Sequence, residues 1–223
     1  YRKMLKAWKD AGVITYAGYI LGIPDDTPEK IRRNIEIIKK ELPLDLIEFF
    51  FLTPLPGSED HKVLASQNVW MDPDFNKYDL NHRVTHHPIM SDAEWEKVYF
   101  DSWKQFYTPD HVETVLRRDA ARGARTKALY SSMIHFLGAI LIEKVHPLEC
   151  GIVRRKHRDQ RRHGMKLESP LVFYPRRAVE AIWVAFSWAR LFLRFRRAMK
   201  RVLADENRKS YTDLALTPTS DAE

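Results

Sequence analysis

Four stretches of this sequence carry residue types that could do chemistry. The first is GYILGIPDDT, residues 18–27, where Gly18, Ile20 and Gly22 alternate before a turn of proline, two aspartates and threonine. At the C-terminal end of a parallel strand, glycines let a ligand approach the backbone, because no Cβ intervenes. The second is FFFLTPLPGSE, residues 49–59, where Thr53 and Pro54 open a loop stiffened by two prolines, and Gly57 can take a positive φ. A stiff, preformed loop suits a binding site. Read from spacing alone, these two stretches also fit a well-capped βα turn and a rigid strand exit. The third is a histidine group, His82, His86 and His87, with His61 and His111 elsewhere. Neutral imidazoles bind metals, and His82 and His86 would face one way on a helix. Pro88 and the polar surroundings argue against a helix, and no acidic or cysteine partner has zinc spacing, so these histidines read as solvated or capping groups. The fourth is a basic run, residues 154–164, followed by a long stretch of bulky apolar residues and arginines up to Val202.

The elements that must position these groups follow from periodicity and punctuation. YRKMLKAWKDAG reads as a helix in progress, with Met4, Leu5 and Trp8 on one face and Gly12 just past its end. That start reads as the interior of a fold, and the chain as the C-terminal piece of a longer protein. Residues 13–22 read as a buried strand. Thr27 and Pro28 then open a helix whose buried face is Ile31, Ile35 and Ile38, stopped by Pro43. LIEFFFL, residues 46–52, is a second strand, and the helical crossover between them predicts a parallel βαβ unit. After TPLPGSED, residues 53–60, no further convincing strand appears. An irregular segment, 66–90, leads to a helix over 92–107 with Ser91 and Glu94 as capping box, and Tyr99, Trp103 and Phe106 at core spacing. Thr108–Pro109 opens a helix to Arg122, and an apolar helix runs from Lys127 to Val145. A basic loop, 146–170, precedes a long helix from Pro175 to Ala204. The predicted organisation is therefore 1–65, a helical extension over 66–150, a basic loop and amphipathic helix over 151–209, and a disordered tail over 210–223.

The 223 residues and a 44% hydrophobic fraction permit a packed core. The net charge of +7 is unevenly spread: residues 1–150 carry 20 Lys+Arg against 22 Asp+Glu, whereas residues 151–209 carry 17 against 5. Cys150, the single cysteine, cannot close an intrachain disulfide, and no leader-like segment opens the chain, so the expected setting is cytoplasmic. In the final helix, Val179, Ile182, Trp183, Phe186, Leu193 and Phe195 are bulky, but Glu180, Arg190 and Arg194 interrupt them, which excludes an ordinary transmembrane span. Such a cationic helix suits peripheral contact with a membrane, here at its inner face, or docking on the rest of the protein. Nucleic acid ranks last as a partner, because no recognition fold accompanies the arginines.

Taken in this order and at this separation, GYILGIPDDT and LIEFFFLTPLPGSE resemble the last part of the barrel of radical S-adenosylmethionine (radical SAM) enzymes. Gly18, Ile20 and Gly22 match that family's GxIxG motif, and Pro24 and Thr27 match its continuation. Asp25 stands where glycine is usual and Asp26 where glutamate is usual. Thr53, Pro54, Pro56 and Gly57 match the Thr–Pro–x–Pro–Gly–Thr run that commonly ends the next strand, with Ser58 for the last threonine. The resemblance covers residues 1–65. The helical continuation resembles, less firmly, the extension of cobalamin-type members, the group containing the anaerobic magnesium-protoporphyrin cyclase.

The resemblance implies an α/β then all-α chain: the last βα units of a partial TIM-like barrel, then a helical extension. It implies S-adenosylmethionine and a 4Fe–4S cluster as cofactors, with cobalamin as an addition, and radical chemistry on an unknown small-molecule substrate. Gly18, Ile20 and Gly22 would lie near the adenine, with Thr53 and Pro54 facing the barrel opening. If the irregular segment covers that opening, Tyr78, His82 and His86 are substrate-contact candidates. The family holds its cluster in a CxxxCxxC loop, which this chain lacks. The cluster ligands are therefore expected upstream, in the N-terminal remainder. The alternative from another class is a non-catalytic membrane- or partner-binding helical module built on the basic C-terminal region.

Overall fold

The computed structural model describes residues 1–217 apart from 124, 125, 150, 152, 153, 155 and 162, so Cys150 lies outside the described residues. Helix α1 (Arg2–Asp10) ends in a left-handed turn: Gly12 has φ +77, its N–H donates to Lys9 O, and Val13 N–H donates to Trp8 O. These are the two bonds of a Schellman cap. The buried face of α1 differs from the expected one. Leu5 and Lys9 point inward, whereas Met4 and Trp8 are exposed.

Strand β1 (Tyr16–Leu21) and strand β2 (Leu46–Phe51) are parallel, with Gly18 opposite Glu48 and Ile20 opposite Phe50. Between them runs α2 (Pro28–Glu41), with Thr27 Oγ1 accepting from Lys30 N–H and Pro28 at its first position. Ile31 and Ile35 are fully buried, and Ile38 packs at the margin. The outer edge of β2 is closed. Ile47 N–H donates to Tyr107 Oη (3.1 Å), that hydroxyl donates to Ile47 O (2.8 Å), and Phe51 N–H donates to Leu80 O (2.9 Å). Among the described residues, nothing pairs with the outer edge of β1. Leu46 and Leu52 donate to Thr15 O and Leu21 O, so by the alternation of a parallel ladder the backbone groups of Tyr16, Gly18 and Ile20 point away from β2. Two strands make up the sheet among the described residues.

Helix α3 (Glu59–Ser66) occupies a stretch where no helix is expected, capped by Ser58, whose hydroxyl accepts from His61 N–H. Helix α4 (Asp92–Phe106) carries the capping box of Ser91 and Glu94. Its Trp95, Tyr99 and Trp103 cover the sheet: Tyr99 stacks on Phe51 at 4.3 Å, and Trp103 meets Phe49 edge-on at 5.4 Å. Helices α5 (Pro109–Ala120) and α6 (Thr126–Gly138) follow, and α6 widens into a π turn over Ala139–Glu143 that ends at Lys144 with φ +58. Helix α7 (Pro170–Ala204) starts five residues earlier than periodicity predicts, because Pro170 takes the first position while Pro175 sits inside. One continuous apolar core joins both strands to α4, α5, α6 and α7. Among the described residues, no helix is long and apolar enough to cross a membrane.

Where a disordered tail is expected, residues 211–217 are packed. Ala215 and Leu216 are buried, and Asp213 accepts from Arg118 Nε at 2.7 Å. The buried Arg118 also donates to Lys39 O and Leu42 O, capping the C-terminus of α2.

Candidate functional site

The two signature loops meet at the C-terminal ends of the strands. Gly22 takes φ +99 there, and the buried Asp26 carboxylate accepts from the N–H groups of Gly22 and Ile23, each at 3.0 Å. Across from it, Pro54 is buried and Thr53 donates its hydroxyl back to Phe51 O at 3.1 Å. Gly22, Pro24, Leu52 and Pro54, with Val63 and Leu64 of α3, line a largely apolar cleft of about 330 Å³ closed by His86, His87 and Trp95. A concave apolar site with few polar groups can enclose an aromatic or aliphatic ligand group.

Internal packing accounts for part of the glycine pattern. A Cβ on Gly22 would overlap the Trp95 indole, and one on Gly18 would stand 2.8 Å from the Phe50 ring. Asp26 occupies the Gly22 and Ile23 N–H groups, so they are not free to cradle an anion. What the GxIxG stretch leaves accessible is therefore the open edge of β1. Ile20 is 51% exposed there, and the backbone of Gly18 and Ile20 faces outward. The five residues picked for cofactor contact divide accordingly. Gly22 and Pro54 line the cleft, Thr53 lies on the exit beside it, and Gly18 and Ile20 lie on the open edge.

The three substrate-contact candidates separate. His86 lines the cleft, with Nδ1 2.9 Å from Asp92 Oδ1 and its ring 4.9 Å from Trp70. His82 is bound to Asp79 at 2.8 Å in a neighbouring depression with Lys77 and Arg83. Tyr78 donates to Asp72 O at 3.0 Å and lines neither recess. The buried member of the group is His87. Its Nε2 donates to Ile23 O (3.0 Å), and its Nδ1 accepts from Ile89 and Met90 N–H (3.1 and 3.0 Å). That network requires the neutral Nε2–H tautomer and ties the β1 exit to the start of α4.

Glu48 is the residue that sequence reasoning missed. It lies opposite Gly18 in the sheet, fully buried, and neither carboxylate oxygen has a hydrogen-bond partner among the described residues. Burial pushes its pKa up to about 7. On the same sheet face, Phe50 stacks at 4.8 Å on His146, which burial pushes down to about 4. An acidic residue in the middle of LIEFFFL was the available signal. Among the described residues, no three His, Cys, Asp or Glu side chains converge on a metal-sized site.

No family model matches the chain. Over 74 residues it is 30% identical to an uncharacterized methyltransferase of Pyrococcus horikoshii. The match covers 33% of this chain and spans 16% of that protein's length. The matched segment is thus a small part of a much longer relative.

Proposed function

We propose that this chain is the C-terminal, cofactor-positioning part of a radical SAM enzyme acting on a small molecule. The observation that carries the reading is the convergence of two motifs. Gly18–Ile20–Gly22 and Thr53–Pro54 end consecutive parallel strands, and Gly22 and Pro54, one from each motif, line a single apolar cleft. The methyltransferase-like segment agrees with a cofactor that is also the common methyl donor. In this reading Ile20 and the outward backbone of Gly18 contact the adenine, while Gly22, Thr53 and Pro54 shape the mouth.

The residues present do not fit an iron–sulfur cluster. One cysteine cannot supply the three thiolates such a site requires. The share of the work assigned to this chain is placement and exclusion of water, and no step through the cluster is assigned to it. Cobalamin, as a further cofactor, would likewise be held outside this chain.

The sequence preceding Tyr1 in the natural polypeptide tests the reading. A CxxxCxxC loop is expected there. A complete chain without one contradicts the radical SAM assignment and leaves only a methyltransferase-like similarity.

A further inference from the structure

Helix α7 presents two stripes on opposite sides. Phe173, Leu191, Phe195, Ala198, Met199 and Val202 are buried, and this side packs against α5 and α6. About half a turn away, at roughly 100° per residue, lie Leu171, Val179, Ile182 and Phe186, which are 66–86% exposed, with Trp183 beside them. This outer stripe is about 22 Å long at 1.5 Å per residue. Toward the C-terminus the same side turns cationic, with Arg190, Arg194, Arg197 and Lys200 all exposed. At the other end Arg154, Lys156, Arg161, Arg176 and Arg177 line a groove of about 560 Å³ that lies on the Phe173 side of the helix, turned away from the outer stripe, with Arg161 and Arg176 paired to Glu168. Glu180 is held at its edge by Lys156 and Arg177.

We propose that this outer face of α7 docks the protein on an anionic lipid bilayer, lying flat in the interface. Bulky side chains enter the acyl boundary, and the cations that continue the stripe, Arg190, Arg194, Arg197 and Lys200, meet lipid phosphates. The C-terminal half of α7 is anchored in the core, so the inner stripe is already used and cannot be the lipid-facing one. Charge complementarity selects the occupant. Residues 151–209 carry 17 basic against 5 acidic side chains, and on the outer face the cations continue an apolar stripe rather than replace it. RNA would use the arginines but offers nothing to the apolar stripe. A large protein interface would be expected to deplete charges at its centre and would not need a cationic extension of its apolar stripe. This inference does not depend on the radical SAM reading.

The test is flotation of the protein, in its full natural length, with phosphatidylcholine vesicles containing or lacking phosphatidylglycerol. Binding is expected only with phosphatidylglycerol and is expected to fall as salt rises. The Ile182→Ser/Phe186→Ser pair should weaken it by more than about tenfold, from the loss of two buried apolar side chains. The Arg190→Glu/Arg194→Glu pair should weaken it at low salt. All four positions are exposed, and circular dichroism checks that the variants fold. The proposal is overturned if the protein does not float, or if Ile182→Ser/Phe186→Ser leaves binding unchanged. It is also overturned if the 223-residue chain floats while the full-length protein does not, which would show the face covered by the rest of the polypeptide. Loss of self-association in the apolar variants, with no lipid binding, would assign the face to a second copy. RNA binding that displaces vesicles and ignores the apolar variants would assign it to nucleic acid.

Discussion

The Trp95 indole lies where a Cβ on Gly22 would stand. A glycine at the end of β1 therefore lets α4 close over the strand exit, and the cleft wall depends on that contact. Gly22→Ala combines an indole overlap with φ +99. It is expected to destabilise the protein by more than about 3 kcal/mol, because overpacking and a strained backbone add. Gly12→Ala, at φ +77 with nothing within 4 Å of the added methyl, should cost only about 1 kcal/mol. Urea unfolding of the two variants checks the difference, and equal costs would remove the role assigned to Trp95.

At the opposite end of the strands, Lys9 is buried with Asp45 at 2.7 Å and Asp119 at 3.8 Å. Asp45 also accepts from Thr15 N–H and the Thr15 hydroxyl. Burial lifts the Asp45 pKa, and Lys9 opposes that rise. Lys9→Met leaves two buried carboxylates without their cation and should cost about 3–5 kcal/mol. Adding Asp45→Asn should recover part of that loss, so a double-mutant cycle is expected to be strongly non-additive.

Glu48 makes stability pH-dependent. Its folded pKa, about 7, lies above the ordinary value of 4.5, so the native state holds a proton that the unfolded chain releases between those values. Stability from this group therefore falls as pH rises from about 4.5 to about 7. Glu48→Gln should stabilise the protein at pH 8 by about 1–2 kcal/mol, discounted for screening, and change little at pH 4. Chemical denaturation at the two pH values reads this out, and the same gain at both would contradict an uncompensated buried carboxyl.

Ser58 stands where the family motif has threonine, and its hydroxyl caps α3. Ser58→Ala should cost about 1 kcal/mol, whereas Ser58→Thr should be close to neutral, since both hydroxyls accept the same N–H. Thermal melts of the pair check this. A large loss with threonine would show that the position does more than cap.

Much of the scaffold is legible from local rules. Gly12, the Thr27–Pro28 start and the Ser91–Glu94 box each act through neighbours a few residues away, and periodicity finds the two strands. What escapes depends on distant partners. The packing of residues 211–217 rests on Arg118 and on Arg2, whose guanidinium donates to Leu214 O and to Thr217 Oγ1 at 2.9 Å. Helix α3 has eight residues, too few for an apolar stripe, though Ser58 before two acids marks its start. In the site, Gly22 and Pro54 come together at the strand ends. Which histidine joins them was not legible, because the loop reverses at Leu80, at φ +65, and sends His82 and His86 to different recesses.

The proposed contact between the exposed edge of β1 and S-adenosylmethionine depends on Ile20. Its most direct test is equilibrium binding of that cofactor to the anaerobically reconstituted full-length protein, comparing Ile20→Glu with Ile37→Glu, an exposed control on α2. The expected result is a loss of at least about tenfold for Ile20→Glu, the scale of one mispaired contact, and no change for Ile37→Glu. Undiminished affinity in Ile20→Glu, or no binding by the parent protein, would contradict the account.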